Sequence, residues 1–104
     1  MSEQFVYITT NGRKTGLPRQ IEIWFVELEG RLYILAEYGL KAKWVQNIIA
    51  DPNVKVRLGV RQFHGVGRVL DEVKDSDSYL KAQAAAREKY GWGEGLPVEI
   101  TPAY

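Results

Sequence analysis

The chain has 104 residues, one domain's worth of polypeptide, and at 45% hydrophobic and 26% charged residues it is neither disordered nor fibrous. Fourteen Lys+Arg against thirteen Asp+Glu leave a formal charge of +1, which is not the balance of a dedicated nucleic-acid binder, so no nucleic-acid partner is expected. The absence of Cys and the single His, His64, exclude disulfide frameworks, thiolate nucleophiles, iron–sulfur clusters and Cys/His metal sites, so that no metal site is expected and any redox chemistry belongs to a bound cofactor.

A single domain spanning residues 1–104 buries roughly two-thirds of its unfolded surface, too little for a deep enclosed active site. A site near a subunit interface, and hence a homodimer, is the expectation. Met1-Ser2-Glu3-Gln4 lacks the basic start and apolar run of an export signal, and no apolar stretch approaches the roughly 18 residues that cross a bilayer, so a cytoplasmic protein is expected.

Phe5 to Thr10 is aromatic and β-branched and predicts a first strand ending at Asn11-Gly12. Asn11 to Pro18 is rich in glycine and basic residues and predicts a loop between strands. Ile21, Ile23 and Phe25 alternate with Gln20, Glu22 and Trp24, predicting one strand that stops at Glu29-Gly30. Arg31 to Glu37 predicts a third, covered on both faces. Between Leu40 and Asp51 the pairs Trp44/Ile48 and Val45/Ile49 predict a short helix with one apolar stripe, stopped by Asp51-Pro52-Asn53.

Val54, Val56 and Leu58 alternate with Lys55 and Arg57, and Gly59 to Gln62 turns the chain into a strand over Phe63 to Val73. Gly65 and Gly67 in that strand predict a bulge or bent corner. Asp75-Ser76-Asp77-Ser78 offers a cap for a long helix ending near Tyr90, and Pro97 to Pro102 predicts a last edge strand bracketed by prolines. The order predicts a mainly β (α+β) fold, a small barrel of about six mostly antiparallel strands with two helices at its openings.

Two segments carry chemistry. In Gly12-Arg13-Lys14-Thr15-Gly16-Leu17-Pro18-Arg19 the glycines free backbone N–H groups, Thr15 adds a hydroxyl, and Arg13, Lys14 and Arg19 add three positive charges, a set suited to phosphate. It is not the Walker pattern, and by composition alone a solvated, charged hairpin tip is the stronger reading. In Glu37-Tyr38-Gly39-Leu40-Lys41-Ala42-Lys43-Trp44-Val45-Gln46-Asn47 a strand leads through a glycine loop into a helix. Its first turn offers free N–H groups, and its Trp44 suits either a flat ring or the core. Asn47 lies beside the apolar stripe, where its amide must find a hydrogen-bonding partner. Tyr90 and Trp92 suit either an aromatic flap or a pin for the C-terminal strand, and no role is assigned to His64.

Ile8-Thr9-Thr10-Asn11-Gly12-Arg13-Lys14-Thr15-Gly16-Leu17-Pro18-Arg19, Trp44-Val45-Gln46-Asn47-Ile48-Ile49-Ala50-Asp51-Pro52-Asn53-Val54-Lys55-Val56 and the closing Leu96 to Pro102 together resemble the deazaflavin-dependent nitroreductase family. The resemblance implies a split β-barrel of the flavin- and deazaflavin-binding type and coenzyme F420 as cofactor. FMN is the alternative cofactor, and a non-catalytic binder or storage protein the alternative function. It further implies that Arg13, Lys14, Thr15, Gly16 and Arg19 hold the cofactor's phosphate and acidic tail, and that Tyr38, Gly39, Trp44 and Asn47 border its ring. Tyr38 is then the hydrogen-bond donor to a small planar acceptor of nitro, quinone or enone type. Glu37-Tyr38 stands where that family usually carries a small hydroxyl residue and glycine.

Overall fold

The computed structural model describes residues 4–103; the start of the chain read above as lacking an export signal lies mostly outside them. The elements in order are strands β1 (Val6–Asn11), β2 (Pro18–Ile23), β3 (Val26–Leu28) and β4 (Arg31–Ala36), a 3-10 turn (Gly39–Lys41), helix α1 (Lys43–Ala50), strands β5 (Asn53–Leu58) and β6 (Arg61–Val69), helix α2 (Ser76–Tyr90) and strand β7 (Leu96–Pro102). All pair antiparallel in one sheet of order β2-β1-β5-β6-β7-β4-β3. The fold is therefore mainly β with two helices, as expected, but with seven strands.

The extra strand arises because the run predicted over Ile21 to Phe25 breaks at Trp24-Phe25. The backbone N–H of Phe25 donates to the Tyr90 hydroxyl at 3.0 Å, and its carbonyl lies 2.8 Å from that hydroxyl and accepts from Lys89 Nζ at 3.0 Å, so neither group is free for a strand neighbour. β2 and β3 form opposite edges of the sheet yet are only two residues apart in the chain. Three Cα steps of about 3.8 Å bring those edges within roughly 11 Å, so the sheet has to curl into a barrel.

The last strand is not an edge. β7 lies between β6 and β4. Its prolines sit at the second and last positions of Leu96–Pro102, so Val98 to Thr101 keep their N–H groups for the ladders, and the Pro97 carbonyl accepts from Leu70 N at 3.1 Å. Nor is there a bulge in β6: its register runs without an inserted residue against both β5 and β7. Its glycines serve close packing instead. A Cβ on Gly65 would lie 2.7 Å from Ile100 Cγ2, and one on Gly67 2.9 Å from Ile48 Cγ2.

The barrel interior is filled from β1, β5 and β7 by residues such as Val6, Ile8, Val56 and Ile100, closed at one end by Val45 and Ile48 of α1. A second cluster lies under α2, where Ala82 and Ala86, four apart, present only methyl groups to Tyr33, Leu35 and Leu70. Asp75 flanks that helix without capping it. Its carboxylate turns back to accept from Asp71 N at 2.8 Å and from Arg68 at 3.0 Å.

Candidate functional site

β1 and β2 are joined by a loop whose shape follows from its glycines. Gly12 N donates to Leu17 O at 2.8 Å, Gly16 N to Gly12 O at 2.7 Å, and Leu17 N to Thr15 Oγ1 at 3.2 Å. A Cβ on Gly12 would stand 2.9 Å from Thr15 Oγ1, so a side chain there would open the loop. Among the described residues the N–H groups of Lys14 and Thr15 make no hydrogen bond and stand at the loop's tip with the Arg13 and Lys14 side chains.

α1 fixes this loop from below. Asn47 is 4% exposed, its Oδ1 accepts from both Arg13 N at 3.1 Å and Arg13 Nη1 at 3.2 Å, and its Nδ2 donates to the buried Thr10 hydroxyl at 3.1 Å. The helical period places Trp44, Val45, Asn47 and Ile48 in one arc and carries Ile49 past its edge; Ile49, expected on the stripe, is 60% exposed.

A cavity of about 530 Å³ opens between the loop and α1, lined by Arg13, Lys14, Thr15 and Arg19 on one side and by Lys43, Trp44 and Asn47 on the other. Among the described residues none of the four cations is ion-paired with a carboxylate. A second cavity of about 770 Å³ shares Lys43 and Trp44 with the first. Its walls are Phe5, Trp24, Tyr38 and Trp92, with Glu37 at the rim. Strand β2 runs along both cavities, contributing Arg19 to the first and Trp24, just past its end, to the second. Trp24 is held by stacking on Tyr90, with ring centroids 4.4 Å apart and 3° between planes.

Of the residues expected at a cofactor site, Arg13, Lys14, Thr15, Arg19, Trp44 and Asn47 share the first cavity and Tyr38 lines the second. Gly16 and Gly39 line neither; both have positive φ, +72° and +59°, and shape the turns that carry their neighbours. Asn47 has its carbonyl oxygen doubly engaged by Arg13, so it supports the loop. The segment with Tyr90 and Trp92 is fastened. Gln83 Nε2 donates to Gly95 O at 3.0 Å, Arg87 to Gly93 O at 3.4 Å, and Tyr90 pins the β2–β3 corner rather than the C-terminal strand. Trp92 nevertheless faces the second cavity. Lys43 and Trp24 were not singled out from sequence; the only signals were a cation one residue before Trp44 and an indole on the outward phase of a strand.

A curled antiparallel barrel of this strand order, with a cationic and an aromatic cavity that share Lys43 and Trp44, is of the split-barrel class. The pattern of the F420H(2)-dependent quinone reductase family matches residues 1–98, and the chain belongs to that family. It is similar to an F420-H2 dependent reductase, FDR-A, at 25% identity over 96% of this chain and 95% of that one, with a TM-score of 0.69. Two more distant structures share the fold. One is a conserved hypothetical protein of Mycobacterium tuberculosis (17% identity, 99% of this chain and 75% of that one, TM-score 0.80), the other a domain-swapped dimer (24%, 96% and 81%, TM-score 0.71). The chain is thus an F420-dependent oxidoreductase with coenzyme F420 as its cofactor. The donor set fits that group: four unpaired cations suit its phosphodiester and carboxylates, and the adjoining aromatic walls suit its ring. Among the described residues no helix is long and apolar enough to cross a membrane.

Proposed function

We propose that this protein reduces a small planar acceptor of nitro, quinone or enone type, seated in the aromatic cavity beside reduced F420. The observation that carries the reading is the shared wall: Lys43 and Trp44 line both the cationic and the aromatic cavity, so a ligand anchored in one reaches into the other. Residues 1–104 act in this reading as one cofactor-binding domain, in the cytoplasm.

Arg13, Lys14 and Arg19, with the free N–H groups of Lys14 and Thr15, hold the anionic part of the cofactor. Trp44 orients the planar part through its indole face, and Trp24 and Trp92 keep water from the acceptor. Tyr38, 72% exposed at the mouth, offers its hydroxyl to an acceptor oxygen and strengthens that hydrogen bond as negative charge develops there. When bound, the deazaflavin supplies a hydride in a two-electron step. A homodimer completes the reading, supported by the open edges of β2 and β3 and by the domain-swapped assembly of one structural relative.

The test is turnover. Reduced F420 mixed with catalytic protein and a panel of nitro, quinone and enone acceptors is reoxidised at a rate proportional to protein; tight binding without reoxidation by any acceptor identifies a storage protein instead.

A further inference from the structure

All three tryptophans of the chain, Trp24, Trp44 and Trp92, line the aromatic cavity, and Phe5 and Tyr38 join them. Five aromatic side chains around one space favour positive charge there, since ring faces attract cations through their quadrupoles. Two carboxylates also line it. That of Glu22 is engaged by the Tyr7 hydroxyl, whereas that of Glu37 has neither hydrogen bond nor ion pair among the described residues. Among the described residues that line it Lys43 is the only cation, and it also lines the cationic cavity, where on the reading above it pairs with the cofactor's anionic groups. With the cofactor in place, the charges left facing an acceptor are then the carboxylates of Glu22 and Glu37, and of the two only that of Glu37 has no hydrogen-bond donor among the described residues.

Reduction of such an acceptor balances. A neutral quinone takes up, besides the hydride, the proton that the reduced deazaflavin releases, so it needs no histidine here, and His64 lines a different cavity with Thr9 and Lys55. A planar heteroaromatic cation takes the hydride alone. Its ring carbon forms a C–H bond with the hydride and the product is a neutral dihydro compound; two electrons leave the reduced deazaflavin with that hydride, and the ring N–H proton released on reoxidation passes to water.

Resting on the site reading above, we propose that the aromatic cavity selects acceptors carrying a delocalised positive charge, of the N-alkylated azaarene class, with Glu37 as the specificity-determining residue. Loss of solvation on binding is limited because the cavity is open at Tyr38 and Glu37, both exposed.

The test uses protein saturated with oxidised F420 near neutral pH, titrated by calorimetry with 10-methylacridinium, neutral acridine and an anionic acridine carboxylate, with intrinsic fluorescence as a second readout because every tryptophan reports on this cavity. The expected result is that the cation binds about tenfold more tightly than acridine and the carboxylate most weakly, each binding event quenching the fluorescence. Glu37→Gln, at an exposed position with no partner to lose, folds normally, lowers the cation's affinity about fivefold and leaves acridine's unchanged. Acridine or the carboxylate binding as tightly as the cation, or an unchanged ratio in Glu37→Gln, overturns the proposal. F420 affinity, measured beforehand on the same protein, is independent of that ratio. Its absence strikes the anchoring at the cationic cavity, while intact F420 binding with no cation preference strikes this inference alone.

Discussion

At the scale of single residues the most informative side chain is Asn47. Its buried carbonyl oxygen takes two hydrogen bonds from Arg13, one from the backbone and one from the guanidinium. A neutral acceptor in that position fixes the direction of Arg13 without cancelling its charge, which a carboxylate would do. Asn47→Asp keeps the acceptor, and the Thr10 hydroxyl reverses to donate to it, so the melting temperature stays close to that of the parent. F420 affinity, however, falls about tenfold and its dependence on salt becomes shallower, because one effective cation is lost. A titration at two salt concentrations measures both. Asn47→Ala leaves Arg13 N–H and the Thr10 hydroxyl without their partner and costs about 1–3 kcal/mol of stability. The sequence marked Asn47 as a polar residue that had to bond to something. It could not show what, since the partner lies 34 residues away along the chain.

At the scale of elements, what was legible followed local periodicity and what was not followed from long-range partners. The strands around Val6, Leu32 and Val54 and both helices are where alternation and helical spacing put them. The break between β2 and β3 was hidden because the Tyr90 hydroxyl that causes it lies 65 residues from Phe25. β7 was read as an edge from its prolines, which the ladder tolerates because they stand near its ends. Gly67 was read as a bulge or bent corner; the register holds no bulge, and Gly67 is the floor on which α1 rests. Gly67→Ala drives a methyl group against Ile48 and is expected to destabilise the fold by about 1–3 kcal/mol in denaturant titrations. F420 affinity falls with it, because α1 also carries Trp44 and Asn47.

The turn before α2 predicts a pH dependence. Asp71 accepts from Val73 N at 2.9 Å and Lys74 N at 2.8 Å, and these backbone bonds hold its carboxyl below the ordinary 3.8. Asp75 is lowered likewise, first by the Asp71 N–H and then by Arg68. Both favour the charged form in the folded state, so their contribution is fully present above the unfolded value of 3.8 and is lost as pH falls through their lower folded values. Asp71→Asn together with Asp75→Asn is therefore expected to flatten the fall of melting temperature on acidification below about pH 4, the ordinary carboxylate range.

At the scale of the molecule, closure of the sheet brings together what the chain keeps apart. The cationic loop at residues 12–19 and the helix carrying Trp44 were both legible as candidate sites, one from its charge and glycines, the other from an aromatic and an amide at a helix start. That they face one another across a cavity, and that this cavity shares Lys43 and Trp44 with an aromatic one, depends on strand order, which no local pattern carries. The net charge of +1 averages over four cations gathered at a single cavity, none of them ion-paired among the described residues. The central claim is that these cations anchor the cofactor. It is tested most directly by titrating F420, followed by its fluorescence, into the parent protein and into Arg13→Ala/Lys14→Ala. Loss of hydrogen bonds worth about 1.5–3 kcal/mol each to a charged group predicts at least about tenfold weaker binding by a variant that still folds, whereas unchanged affinity in that folded variant contradicts the account.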